Sequence, residues 1–190
     1  NIIFMKKFLS FALLSVAMFM FGSVMAAQPK AEEIVGKWGI EPAYLSKIMG
    51  ELPPDIGAEI SCVFEFMPDS KALTNMTIVM NMPVDKGVDM VVDIRCKLDC
   101  VWNYTNGMLL VEYSNVDVSL HDIRITPDNP EFGVLIQMLK PQVEEVFVKE
   151  LRNSFKEEPL LPNVNVDIEG DIMTLTDPTD SDTFVLKRAE

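Results

Sequence analysis

Apolar residues fall on every second position through several long segments of the chain, the pattern of half-buried antiparallel strands. In AEISCVFEF, Ile60, Cys62, Phe64 and Phe66 share a face. In TNMTIVMNM, Met76, Ile78, Met80 and Met82 share one face, with Asn75, Thr77 and Asn81 on the other. The longest run goes from Met90 to Tyr104. Its even positions read Met, Val, Ile, Cys, Leu, Cys, Trp, Tyr, while its odd positions are mostly Asp, Arg, Lys and Asn.

Asn106-Gly107 follows as a two-residue hairpin turn, since both residues take positive φ at little cost. That turn sets Tyr104 opposite Leu109, Trp102 opposite Val111 and Cys100 opposite Tyr113. Beyond Tyr113 the apolar phase moves to Val116, Val118 and Leu120, and one extra residue at Ser114-Asn115 explains the move as a β-bulge. Leu98 then faces Val116, Cys96 faces Val118 and Lys97 faces Asp117. On the other edge of the long strand, Met80 is expected beside Met90 and Thr74 beside Cys96.

Three regions depart from this pattern or frame it. Ile34 to Ile40 suits a short first strand, and Pro42 opens a helix-like run with Tyr44, Leu45, Ile48 and Leu52 on one side, closed by Gly50 and Pro53-Pro54. From Pro130 the spacing turns helical, with Val134, Leu135 and Met138 in phase. Pro141 interrupts it by removing one backbone donor, and Val143, Val146, Phe147 and Leu151 then form one face of a second helix that ends near Phe155, so the run is either a kinked helix or a helical pair. The tail returns to strands as NVNVDI, IMTLT and TFVLKR.

The N-terminus changes the compartment. Lys6 and Lys7 precede an uncharged apolar run from Phe8 to Val24, and Val24-Met25-Ala26 supplies the small residue of a cleavage site. Residues 1–26 are expected to be a signal peptide, with Asn1 to Phe4 an over-called start, and residues 27–190 a single domain that is periplasmic or secreted. No membrane span is expected once the signal is removed.

The 190 residues carry a formal charge of −13. Without the two signal lysines, 14 basic and 29 acidic residues leave −15, which excludes a nucleic-acid partner, whose phosphates reward clustered Lys and Arg.

Gly36-Lys37-Trp38 on the first strand and Leu186-Lys187-Arg188 on the last resemble the lipocalin-like (calycin) group, especially its small secreted bacterial members of unknown function. That resemblance implies a barrel opened by the Gly-x-Trp, with Arg188 packing over Trp38 as the barrel-closing pair. The fold expected is mainly β: an antiparallel lipocalin-like barrel of about eight strands with an inserted helical segment. A curved antiparallel sheet wrapped around that helix is the alternative.

Chemistry is sparse. The single histidine, His121, stands next to Asp122 at the end of a strand, and there is no phosphate loop or Cys-x-x-Cys motif, so no catalytic residue, cofactor or metal is assigned. The loop DPTDSD lacks the Gly and the terminal Glu of an EF-hand loop. On a strand Cys96 and Cys100 point the same way but lie about 13 Å apart, whereas a disulfide needs Cα atoms within about 7 Å. They read as buried thiols on an inward wall, with a bridge from Cys62 to one of them as the alternative.

The candidate ligand cavity is therefore the inward face itself: Met76, Ile78, Met80, Met90, Ile94, Cys96, Trp102, Tyr104, Val111 and Tyr113. The first expectation is non-enzymatic binding of a small apolar ligand inside the barrel. The second is a filled barrel that serves as a protein-interaction module, an inhibitor or envelope accessory protein. Cu(I) binding through the Met residues, whose thioethers suit a soft ion, ranks third.

Overall fold

The computed structural model describes residues 28–41, 57–85, 87–127, 132–157, 159–179 and 183–190. The expected signal peptide, the helical run expected over 42–52 and the helix start expected at Pro130 lie outside the described residues.

Eight strands close into a barrel in which every strand pairs antiparallel with its sequence neighbour. They are β1 (Gly36–Ile40), β2 (Gly57–Phe66), β3 (Lys71–Asp85), β4 (Val88–Thr105), β5 (Met108–Thr126), β6 (Leu161–Glu169), β7 (Ile172–Thr176) and β8 (Thr183–Arg188). Short β1 closes the ring because it pairs on both edges: Trp38 stands opposite Phe64 of β2 and Arg188 of β8. Of the two expected architectures, the closed barrel is the one found, with no free first or last edge.

The walls differ in height. β3, β4 and β5 run 15, 18 and 19 residues, against 5 to 6 for β1, β7 and β8. The β4–β5 hairpin keeps the register set by its turn, including the shift at Ser114-Asn115, and a second bulge places His121 as an extra residue opposite the Asp93–Ile94 step. The β3–β4 register differs from expectation by two residues. Met90 pairs with Met82, Met80 with Val92, Cys96 with Met76 and Thr74 with Leu98. β3 continues to Asp85 and β4 starts at Val88, so both strands reach into the Val84–Gly87 stretch expected as a turn. An even offset leaves the same residues inward, because strand faces alternate with period two.

Two local expectations change. Ile34 belongs not to β1 but to a one-turn helix, α1 (Ala31–Ile34), where it is fully buried. Pro141 leaves one continuous helical run, so the helical pair, one of the two forms expected, is not found. The proline lies inside α2 (Gly133–Val143), which runs on through a wide turn at Glu144–Val148 into α3 (Lys149–Glu157). In the wide turn Lys149 N–H bonds the Glu144 carbonyl five residues back. The extra residue rotates the apolar stripe, so the buried set is Val143, Val148, Leu151 and Phe155, while Val146, expected inward, is exposed.

This helical unit stands where β6 is missing. β5 and β6 pair only at Met108, Leu109 and Val111, and higher up Arg152 Nη2 of α3 donates to the Val118 carbonyl at 2.7 Å. Phe155 meets Tyr113 edge to face, with centroids 5.7 Å apart. One apolar core runs unbroken from Ile34 and Trp38 through the strands to Val143, Leu151 and Phe155.

The barrel interior as candidate ligand site

The interior falls into three levels. At the end carrying the β2–β3, β4–β5 and β6–β7 turns it is sealed. Trp38 has no exposed surface, and its Nε1 donates to the Ile34 carbonyl at 2.7 Å, tying the α1 turn across the opening. Arg188 covers the indole, its Cζ 4.1 Å from the ring centroid, and donates to the Glu33 carbonyl at 3.0 Å and the Val35 carbonyl at 3.3 Å. A guanidinium over an indole gains a cation–π attraction and here also satisfies two turn carbonyls.

Gly36 is fixed by two independent demands. Its φ is +128°, a region L side chains avoid, and a Cβ there would stand 2.8 Å from Arg188 Nη1. Above this seal Phe66 meets Trp102 edge to face at 5.8 Å, and Trp102 Nε1 donates to the Met67 carbonyl at 3.0 Å.

The middle level is rich in sulfur. Cys62, Met76 and Cys96 are direct cross-strand neighbours on β2, β3 and β4. Cys100, four residues along β4 from Cys96, sits between Ala72 and Tyr113. All three thiols are free and buried, so the bridge to Cys62 kept as an alternative is not made. Met76 and its strand stand between Cys62 and Cys96, which keeps their backbones about two strand spacings, roughly 10 Å, apart.

Burial pushes each thiol up to about 12, and a nearby titratable group adds to it: Cys96 for Cys62, Asp117 for Cys96 and Asp99 for Cys100. Tyr113 is raised as well, by burial first and then by Cys100, Cys62 and Cys96. Such thiols are protonated and poor nucleophiles. Thr74, fully buried beside Cys100, has a hydroxyl with no hydrogen-bond partner. Its phase with Met76 and Ile78 made its inward position legible in the sequence.

The third level is the far end, and there the wall is apolar but incompletely covered. Met80, Met82 and Met90 are only partly buried, although Val92, Ile94 and Ile78 beside them are buried. The ten candidate residues thus do not form one site. Trp102, Tyr104 and Val111 belong to the sealed end; Met76, Ile78, Ile94, Cys96 and Tyr113 lie midway; Met80 and Met90 lead toward the open level.

His121 is exposed at its bulge, beside Asp122, which bonds Arg124 at 3.0 Å. Among the described residues no three His, Cys, Asp or Glu stand close enough to hold a metal ion. In the loop after β7, Asp177 accepts from Thr179 N and Oγ1 at 2.7 and 2.6 Å, an ordinary turn. No described helix is long and apolar enough to cross a membrane.

No family model matches the chain, and no curated protein is similar enough to count as a relative.

Proposed function

We propose that this chain is an exported, non-enzymatic binding protein of lipocalin-like type, taking a small apolar ligand at the far end of its barrel. The observation that carries the reading is the contrast along one inward face. Indoles and phenyl rings fill its sealed end, whereas three flexible methionines, Met80, Met82 and Met90, line its far end and stay partly uncovered. Met adapts to irregular apolar shapes, which suits a ligand wall. The same wall carries Ile78, Val92 and Ile94, so it is built to meet an apolar body and not a soft metal ion.

The test is native mass spectrometry of protein purified from its own envelope, together with titration of a fluorescent apolar dye. A co-purifying small molecule, or dye binding lost in Met80→Arg, supports the reading. An apo mass in every preparation with no dye binding overturns it.

A second reading rests on a separate observation. Val134 and Met138, one helical turn apart on α2, are 72% and 65% exposed, and Leu135 and Val146 are exposed too. An apolar stripe of this kind on a helix suits a protein partner. Met138→Glu separates the two readings: it abolishes partner capture under the second and leaves dye binding untouched under the first.

A further inference from the structure

β5 has a short stretch of edge that the fold leaves unpaired. The two-residue turn makes Thr105 and Met108 a bonded pair, so the main-chain groups of Leu109, Val111 and Tyr113 point away from β4, toward β6. The Gly107 carbonyl, in the same phase, accepts from Val166 N–H at 3.1 Å. β6 reaches only as far as Val111, which pairs with Leu161. After the bulge the same phase resumes at Val116 and Val118, and the Val118 carbonyl is taken by Arg152. Between these two points, among the described residues, no strand or helix backbone pairs with Tyr113 and Val116.

A cleft of about 450 Å³ opens at this gap. Tyr113, Val116, Phe155 and Pro159 form its apolar walls, and Glu112 and Lys156 also line it. An added peptide strand fits poorly, because a bulge, a lysine and a proline at a sheet edge are the features that discourage strand addition. A small molecule meets no such obstacle, and the volume falls within the range of ligand sites.

We propose that this lateral cleft binds a small carboxylate with an apolar or aromatic body. The ring or chain lies over the packed Tyr113–Phe155 pair and against Val116, while the carboxylate takes the Lys156 ammonium and the N–H groups of the β5 edge. The site is separate from the methionine-lined end of the barrel, so it stands or falls independently of that proposal.

The probe is phenylacetate, with phenylacetamide as its neutral match, followed by amide chemical shifts of the whole chain. Saturable shifts confined to Tyr113, Ser114, Val116 and Phe155 are expected, at least tenfold weaker for the amide and for Lys156→Glu. Lys156 is exposed, so that variant folds. Val116→Trp fills the cleft and abolishes binding, with Lys156→Glu as the safeguard should it misfold. Equal affinity for acid and amide, shifts centred on Met80 and Met90, or no saturation at millimolar concentration overturns the proposal.

Discussion

The two ends of the barrel are made from the same inward-facing phase of the same strands and differ in what fills that phase. At the sealed end the residues are rigid and large, and polar atoms on the indoles and on Arg188 are bonded to turn carbonyls. At the far end they are unbranched methionines, half-covered and without polar partners of their own. Rigid rings with bonded edges specify one packing, whereas thioethers adapt to many. Stability is therefore concentrated at one end and adaptability at the other.

The largest effect that tests this contrast is truncation of Trp38. Trp38→Ala removes a wholly buried indole, its bond to Ile34 and the platform under Arg188, and should cost about 3–5 kcal/mol. Met90→Ala at the far end should cost only about 1 kcal/mol, since part of its side chain already meets solvent. Urea unfolding midpoints of the two variants measure the difference. Equal losses would mean that the ends are not energetically distinct.

Gly36→Ala comes next. It combines a positive φ with a methyl pressed on Arg188, and a strained residue of this kind costs about 1–3 kcal/mol. The double variant Gly36→Ala/Arg188→Ala sharpens the point. Measured against Arg188→Ala alone, the Gly36→Ala step should cost less, since the contact is gone and only the φ strain is left, so an equal step in both backgrounds would place the whole effect in the backbone.

Much of this was legible because strand faces alternate strictly. The Asn106-Gly107 turn and one bulge gave the pairing from Tyr104–Leu109 to Cys96–Val118. The β3–β4 register slipped by two without altering which residues face inward, since the error was even. What periodicity does not carry is a change of period. The wide turn at Glu144–Val148 adds a residue to one helical turn, which moved Val148 inward and Val146 outward. The plugging role of Ile34 was hidden for a similar reason, its apolar run continuing from one helical turn into a strand. The lateral cleft was illegible because it depends on where β6 stops beside β5, a property of two distant segments.

The thiols give a pH test of how dry the middle level is. Each has its folded value raised from 9.0 to about 12, so below about pH 9 both folded and unfolded chains hold the protons and stability is unaffected. As pH rises from about 9 toward 12 the unfolded thiols ionise and the folded ones do not, so the folded state binds more protons and stability falls. Thermal melts of the wild type and of Cys62→Ala/Cys96→Ala/Cys100→Ala between pH 8 and 11 check this. The wild type should lose stability more steeply, and iodoacetamide at pH 8 should leave its native thiols unmodified. Fast native alkylation would show that the middle level is open to solvent.

Thr74→Val predicts the smallest change and the most pointed one. The hydroxyl is buried with no partner, so the fold carries its desolvation without a compensating bond. Replacing it with a methyl of nearly the same shape removes that cost, and the expected outcome is neutral to stabilising by up to about 1 kcal/mol. A neighbouring wall residue behaves oppositely: Ile78→Val, a purely apolar truncation, should cost about 0.5–1.5 kcal/mol. If Thr74→Val destabilises by more than Ile78→Val, the hydroxyl has a partner in solution, such as an enclosed water bridging it to the Cys100 thiol. The middle of the barrel would then be a hydrated polar level between two apolar ones, and the contrast between the ends would extend to three distinct interiors.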